Sequence, residues 1–73
     1  MPFLRRIPVQ SSSIRSLAYE AGRQWMEIEF SSGHIYRYYE VPAEVFSEFL
    51  QAPSCGTYFH QHIRDVYPYD QLS

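Results

Sequence analysis

The sequence predicts an α+β domain: a three-stranded antiparallel β-meander followed by two short helices packed on one face, in the order β-β-β-α-α. Three observations predict it. Residues 13–19, 24–30 and 34–41 are short runs rich in β-branched and aromatic side chains, each parted from the next by a glycine-containing turn. Pro42 ends the third run, since it cannot donate to a strand ladder but suits the first turn of a helix. Beyond it, Val45, Phe46, Phe49 and Leu50 form one apolar stripe with Glu44, Ser47, Glu48 and Gln51 mostly off it, which is helical periodicity.

Taken in order, residues 1–8, with Pro2 and Pro8, read as an extended lead-in, residues 9–69 as a single domain, and residues 70–73 as a short tail. The first helix is expected over residues 42–51, because Pro53 prevents easy continuation. Ser54 is a good N-cap for a second helix over residues 55–66, whose Phe59 and Ile63 lie one turn apart and face the core.

Turn chemistry sharpens the sheet. Ser31-Ser32-Gly33 fits a three-residue hairpin loop whose last residue is left-handed and best a glycine. That register sets Ile28 opposite Tyr36 and Met26 opposite Tyr38 on one face, and Glu27 opposite Arg37 and Trp25 opposite Tyr39 on the other. A loop one residue shorter would bury Arg37 among Met26, Ile28 and Phe30, at a cost of several kcal/mol, roughly, for an unpaired guanidinium. The same loop type at Glu20-Ala21-Gly22 pairs Ile14 with Ile28, Ser16 with Met26, Arg15 with Glu27 and Leu17 with Trp25. The inner face, under the helices, then carries Ile14, Met26, Ile28, Phe30, Tyr36 and Tyr38. The outer face carries an Arg15–Glu27–Arg37 row beside a Leu17–Trp25–Tyr39 row.

Composition narrows the function classes. A chain of 73 residues has room for one domain, and at that size only ~60% of the unfolded chain's surface is hidden. The one cysteine, Cys55, cannot form an internal disulfide, so aromatic packing is the expected substitute. A lone thiol, and a first ten residues without an apolar run of signal-peptide length, lead to an expected cytoplasmic location with no membrane partner. All six basic residues are arginines and the formal net charge is −2. That argues against strong non-specific grip on a phosphate backbone but leaves room for a few bidentate arginine contacts.

The candidate sites follow from the faces. Arg15, Trp25, Arg37 and Tyr39 form the expected partner-binding set, since flat aromatics beside arginines suit both nucleic-acid bases and protein interfaces. Tyr36 and Tyr38 offer a stacking platform in principle, but the register favours both as core. Ser54, Gly56 and Thr57 at a helix start form a candidate anion site, against the simpler reading of an ordinary N-cap with a packing glycine. Cys55 at the same helix start is expected to have some thiolate character. His60 is badly placed to take its proton, and no orienting acid is evident. His60 and His62 point about 200° apart on a helix, so no metal site is expected; no cofactor and no enzymatic activity are expected either.

The ordered series Val9 with Ser11-Ser12-Ser13-Ile14, Phe30-Ser31-Ser32-Gly33, Tyr36-Arg37-Tyr38 with Val41-Pro42, Ala52 with Ser54 and Gly56, Tyr58-Phe59, Ile63-Arg64 and Tyr67-Pro68-Tyr69 resembles the KTSC domain. This family is named from the C-terminal extension of some lysyl-tRNA synthetases and includes small stand-alone bacterial proteins. The likeness covers about residues 9–69. The resemblance implies a central Tyr-x-Tyr motif and RNA, tRNA in particular, as a suggested partner; it implies no activity. A small non-catalytic module that binds RNA is the resulting expectation. The alternative is a protein-interaction or self-association domain, including a homo-oligomer, that uses the same outer face.

Overall fold

In the computed structural model, which describes residues 4–73, the chain forms a two-residue strand Ile7–Pro8 (β1) and then the strands Ile14–Glu20 (β2), Trp25–Phe30 (β3) and Ile35–Tyr38 (β4). Helix Ala43–Gln51 (α1) follows, then a helical turn Cys55–Tyr58 (α2) that runs on as a π-helical turn over Phe59–Ile63, and last a strand Tyr69–Gln71 (β5). Residues 1–3 of the expected lead-in lie outside the described residues.

The expected three-stranded sheet is corrected to five antiparallel strands in the order β1-β2-β3-β4-β5. The added strands are the two outermost. β1 holds Pro8 and β5 is fully exposed and mostly polar, so neither shows an apolar alternation. They form because β2 and β4 offer unpaired backbone edges: Ile7 pairs with Leu17, and Arg37 with Asp70. Proline is tolerated on such an edge strand.

The β3–β4 hairpin has the register that its loop implies, with Met26 opposite Tyr38, Glu27 opposite Arg37 and Ile28 opposite Tyr36. Gly33 is the left-handed residue, at φ 98°. β4 stops at Tyr38 rather than running to Val41, because Glu40 adopts a left-handed φ of 61°.

The β2–β3 register is corrected. Glu20 sits opposite Trp25 and Leu17 opposite Ile28, so four residues make the turn. The left-handed residue there is Gln24, at φ 58°, and not Gly22. The Glu20 carboxylate accepts hydrogen bonds from the backbone N–H groups of Gly22 (3.3 Å) and Arg23 (2.7 Å), which holds the longer turn closed. An odd shift exchanges the faces of a strand. Leu17, expected outside, is therefore fully buried. Ser16, expected inside, instead donates to Glu29 Oε1 at 2.8 Å. Ile14 stays in the core because a bulge between Ile14 and Ser16 inserts one residue.

Both helices cover the inner face. Phe49 of α1 and Ile63 are fully buried with Ile14, Leu17, Met26, Ile28 and Val41. Phe46 stacks on Tyr19 with centroids 4.9 Å apart, and Phe49 on Tyr58 at 5.2 Å. Such rings supply the apolar area that a small core needs. The expected second helix ends early, since Arg64 is extended and Asp65 left-handed at φ 63°.

The two faces respond differently to truncation. Leu17→Ala and Tyr38→Ala are each expected to lower the unfolding free energy by ~2–5 kcal/mol, as large-to-small core changes do. Tyr39→Ala, on the outer face, is expected to lower it by no more than ~1 kcal/mol. Urea denaturation of the three variants measures this, and a large loss at Tyr39 with a small one at Leu17 would contradict the register.

Candidate functional site

The outer face is organised around Glu27, a carboxylate only 4% exposed. Its Oε1 accepts from Arg6 Nη2 at 2.9 Å, and its Oε2 accepts from Arg37 Nε at 3.1 Å and Nη2 at 2.8 Å. The register explains the meeting. Ala18, Glu27, Arg37 and Asp70 lie in one row across β2 to β5, and extending the β1 register by one residue brings Arg6 beside Ala18. The small Ala18 side chain lets Arg6 reach across to the carboxylate. The hydrogen bonds that Arg37 donates to Glu27 are the main reason that its pKa lies above the ordinary value.

Held in this way, the Arg37 guanidinium lies over the Trp25 ring, 4.2 Å from its centroid. Arg23 also lies over that ring, at 4.9 Å. Tyr39 meets Trp25 edge-on, with centroids 6.0 Å apart, and its hydroxyl donates to Asp70 Oδ2 at 2.7 Å. Three of the four expected binding residues, Trp25, Arg37 and Tyr39, are thus brought together. Arg15 is not among them. It sits at the β2 bulge, 3.6 Å from Glu29 Oε2, and donates to the Ser31 carbonyl at 3.3 Å. Arg6 takes the place beside Glu27 expected of Arg15. Arg6, Arg23 and Asp70 were not legible in the sequence: Arg6 lies just before the edge strand β1, Asp70 on the edge strand β5, and Arg23 in the four-residue turn between β2 and β3.

Tyr36 and Tyr38 point to the inner side, but not into equal surroundings. The Tyr38 ring is buried, whereas Tyr36 is half-exposed. Both line an open cleft of about 570 Å3, with Phe30 and Phe59 behind and Tyr69, His34, Arg64 and Asp65 at the exposed side. The cleft brings the end of the sheet against the segment after the π-helical turn.

At the start of α2, Ser54 Oγ accepts from the Thr57 N–H at 3.2 Å, so the side chain caps the helix from within. A methyl group on Gly56 would lie 2.9 Å from Ser13 Oγ, which makes that glycine a close-approach point between α2 and the chain leading into β2. The thiolate expectation for Cys55 is corrected. The thiol is buried, donates to the Phe49 carbonyl at 3.5 Å, and burial pushes its pKa up. Among the described residues, no three His, Cys, Asp or Glu side chains gather as metal ligands would.

The family model of the KTSC domain matches residues 10–67, most of the chain. The chain belongs to the KTSC family. It is 50% identical over 58 residues to an uncharacterized protein of Stutzerimonas stutzeri, spanning 80% of this chain and 82% of that one. It is also 44% identical over 64 residues, 88% of its length, to a lysine–tRNA ligase of Nostoc sp., of which that segment is 11%. The crystal structure of a KTSC domain protein from Yersinia pestis matches it with a TM-score of 0.91 and 30% identity, over 97% of this chain and all of the other. Among the described residues of this KTSC domain, no helix is long and apolar enough to cross a membrane.

Two measurements test the chemistry of these surroundings. Removing Glu27 leaves two part-buried guanidiniums unpaired, so Glu27→Ala is expected to destabilise the KTSC domain by ~3 kcal/mol. Arg15→Ala, which removes a more exposed pair, is expected to cost no more than ~1 kcal/mol. Chemical denaturation distinguishes the two.

Burial, then neighbouring Tyr69 and Tyr36, push Tyr38 up to about 12, and burial with the hydrogen bond to Glu48 pushes Tyr58 up to about 12. Each phenol therefore binds its proton more tightly in the folded state than in the unfolded one. Their contribution is intact below the ordinary tyrosine pKa of about 10 and is lost as pH rises from there towards the folded values. Thermal melts are expected to show Tm falling across that window, and less steeply in Tyr58→Phe. A Tm that stays flat across it would contradict the raised values.

Proposed function

We propose that this KTSC domain is a non-catalytic binding module that takes single-stranded RNA on the outer face of its sheet. The observation that carries the reading is the cluster at Trp25, with the guanidiniums of Arg37 and Arg23 over its ring and Tyr39 at its edge. Bases splayed from a single strand stack on aromatic rings and on arginine planes alike. Arg37 is suited to the task because Glu27 fixes its orientation before any partner arrives, so little side-chain freedom is lost on binding. Arg15, at the far side of β2, supplies a phosphate contact along the strand. The ligase relatives support the reading, since lysine–tRNA ligases carry a segment similar to nearly this whole chain. The buried neutral thiol of Cys55 supports a non-catalytic role, and a cytoplasmic location suits a module that meets tRNA.

The chain has one tryptophan, so its fluorescence reports the face directly. Titration with tRNA at low salt is expected to perturb Trp25 emission, with an affinity that falls steeply as salt rises. Tyr39→Ala is expected to weaken binding by ~1–3 kcal/mol. No change in Trp25 emission with tRNA at low salt would end the reading. A change that depends on protein concentration and ignores salt would assign the face to a protein partner or a second copy instead.

A further inference from the structure

The cleft on the opposite side of the sheet has the makings of a second, independent site. Tyr36, Tyr38 and Tyr69 form one continuous aromatic surface, with centroids 5.4–6.5 Å apart. None of their hydroxyls has a hydrogen-bond partner among the described residues, although no buried side-chain polar atom there is left unpaired. The Tyr38 hydroxyl is therefore not sealed in with its ring, and the cleft is where it meets solvent. Opposite these phenols stand Arg64 and Asp65. Arg64 has no acidic partner within ion-pair distance among the described residues, and its side-chain hydrogen bond there is with His60 Nδ1 at 3.4 Å. Asp65 likewise makes no ion pair there.

An aromatic wall, an uncommitted guanidinium and an uncommitted carboxylate match three parts of one kind of molecule. A guanidinium takes a phosphate bidentately. A carboxylate accepts both hydroxyls of a ribose cis-diol. An aromatic face stacks on any base. The cleft, at about 570 Å3, falls in the ordinary size range of small-molecule sites, roughly 300–1,000 Å3. We infer that the cleft binds a ribonucleotide, with Arg64 on the phosphate, Asp65 on the ribose diol and Tyr36 and Tyr69 against the base. The nucleotide is either free or the 3′-terminal residue of an RNA, the one residue of a strand that keeps a free cis-diol. This goes beyond the outer-face reading and does not require it, since the two sites share no residue.

The test uses the full chain and NMR amide and aromatic shifts. Adenosine 5′-monophosphate is expected to shift Tyr36, Tyr69 and Arg64 signals and to leave the Trp25 indole still. Arg64→Ala is expected to weaken this binding about tenfold or more, the loss of a charge-assisted contact. The 2′-deoxynucleotide is expected to bind more weakly, and Asp65→Asn to narrow that difference. Both side chains are exposed, so the variants are expected to fold, and unchanged core shifts verify it. A short RNA with a free 3′ end that binds more tightly than the mononucleotide identifies the terminal residue as the ligand; equal or weaker binding identifies the free nucleotide. The proposal is overturned by no shift at the cleft with either ligand. It is equally overturned by inorganic phosphate binding as well as the nucleotide, or by nucleotide shifts at Trp25 in place of Tyr36 and Arg64. Because tRNA binding at Trp25 is read from a different signal, either site can fail while the other stands.

Discussion

Glu27 is a carboxylate almost without water, and it survives there because two guanidiniums share it. Arg6 reaches it from one sheet edge and Arg37 from the other side. Buried ion pairs rarely repay the desolvation of their charges in full, so their value lies more in what they position. Here the cluster ties the segment before β1 to β3 and β4 and leaves the Arg37 plane lying on Trp25. Take away the carboxylate and the stacked surface loses its frame, since neither Trp25 nor Tyr39 holds Arg37 with a comparable contact.

The alternation of β4 does the rest. Tyr36 and Tyr38 go to the inner side while Arg37 and Tyr39 go to the outer. One short strand thereby contributes to both faces, and its partner β3 does the same with Met26 and Ile28 against Trp25 and Glu27. The sheet is a partition between two chemistries: paired charges and cation–π contacts outside, and inside an apolar core with phenols at its margin.

How much of this was legible in the sequence depended on where the decisive contacts are local. The β3–β4 hairpin was readable because Gly33 is the residue that its loop needs. The β2–β3 turn was not, because Gln24 takes the left-handed position and the Glu20 carboxylate closes the turn through two backbone donors. No sequence rule announces that arrangement, so the turn residues alone point Leu17 outward although it lies in the core. The grouping of Trp25, Arg37 and Tyr39 survived because it rests on the hairpin alone. The partners Arg6 and Asp70 lie beside or on strands too short to show a period, and the cleft joins Tyr36 to Arg64 and Asp65 only through tertiary packing.

The outermost strands have a consequence for where this domain ends. The family match spans residues 10–67, yet β1 and β5 both lie outside those limits. A chain cut to the matched segment would keep every helix and the three central strands but would present two bare strand edges to solvent. Bare edges invite pairing with other chains. It would also leave Glu27 with one cation in place of two and strip Tyr69 from the cleft. The structural boundary of the domain is therefore wider than its most recognisable core, and it includes the two segments whose sequence says least.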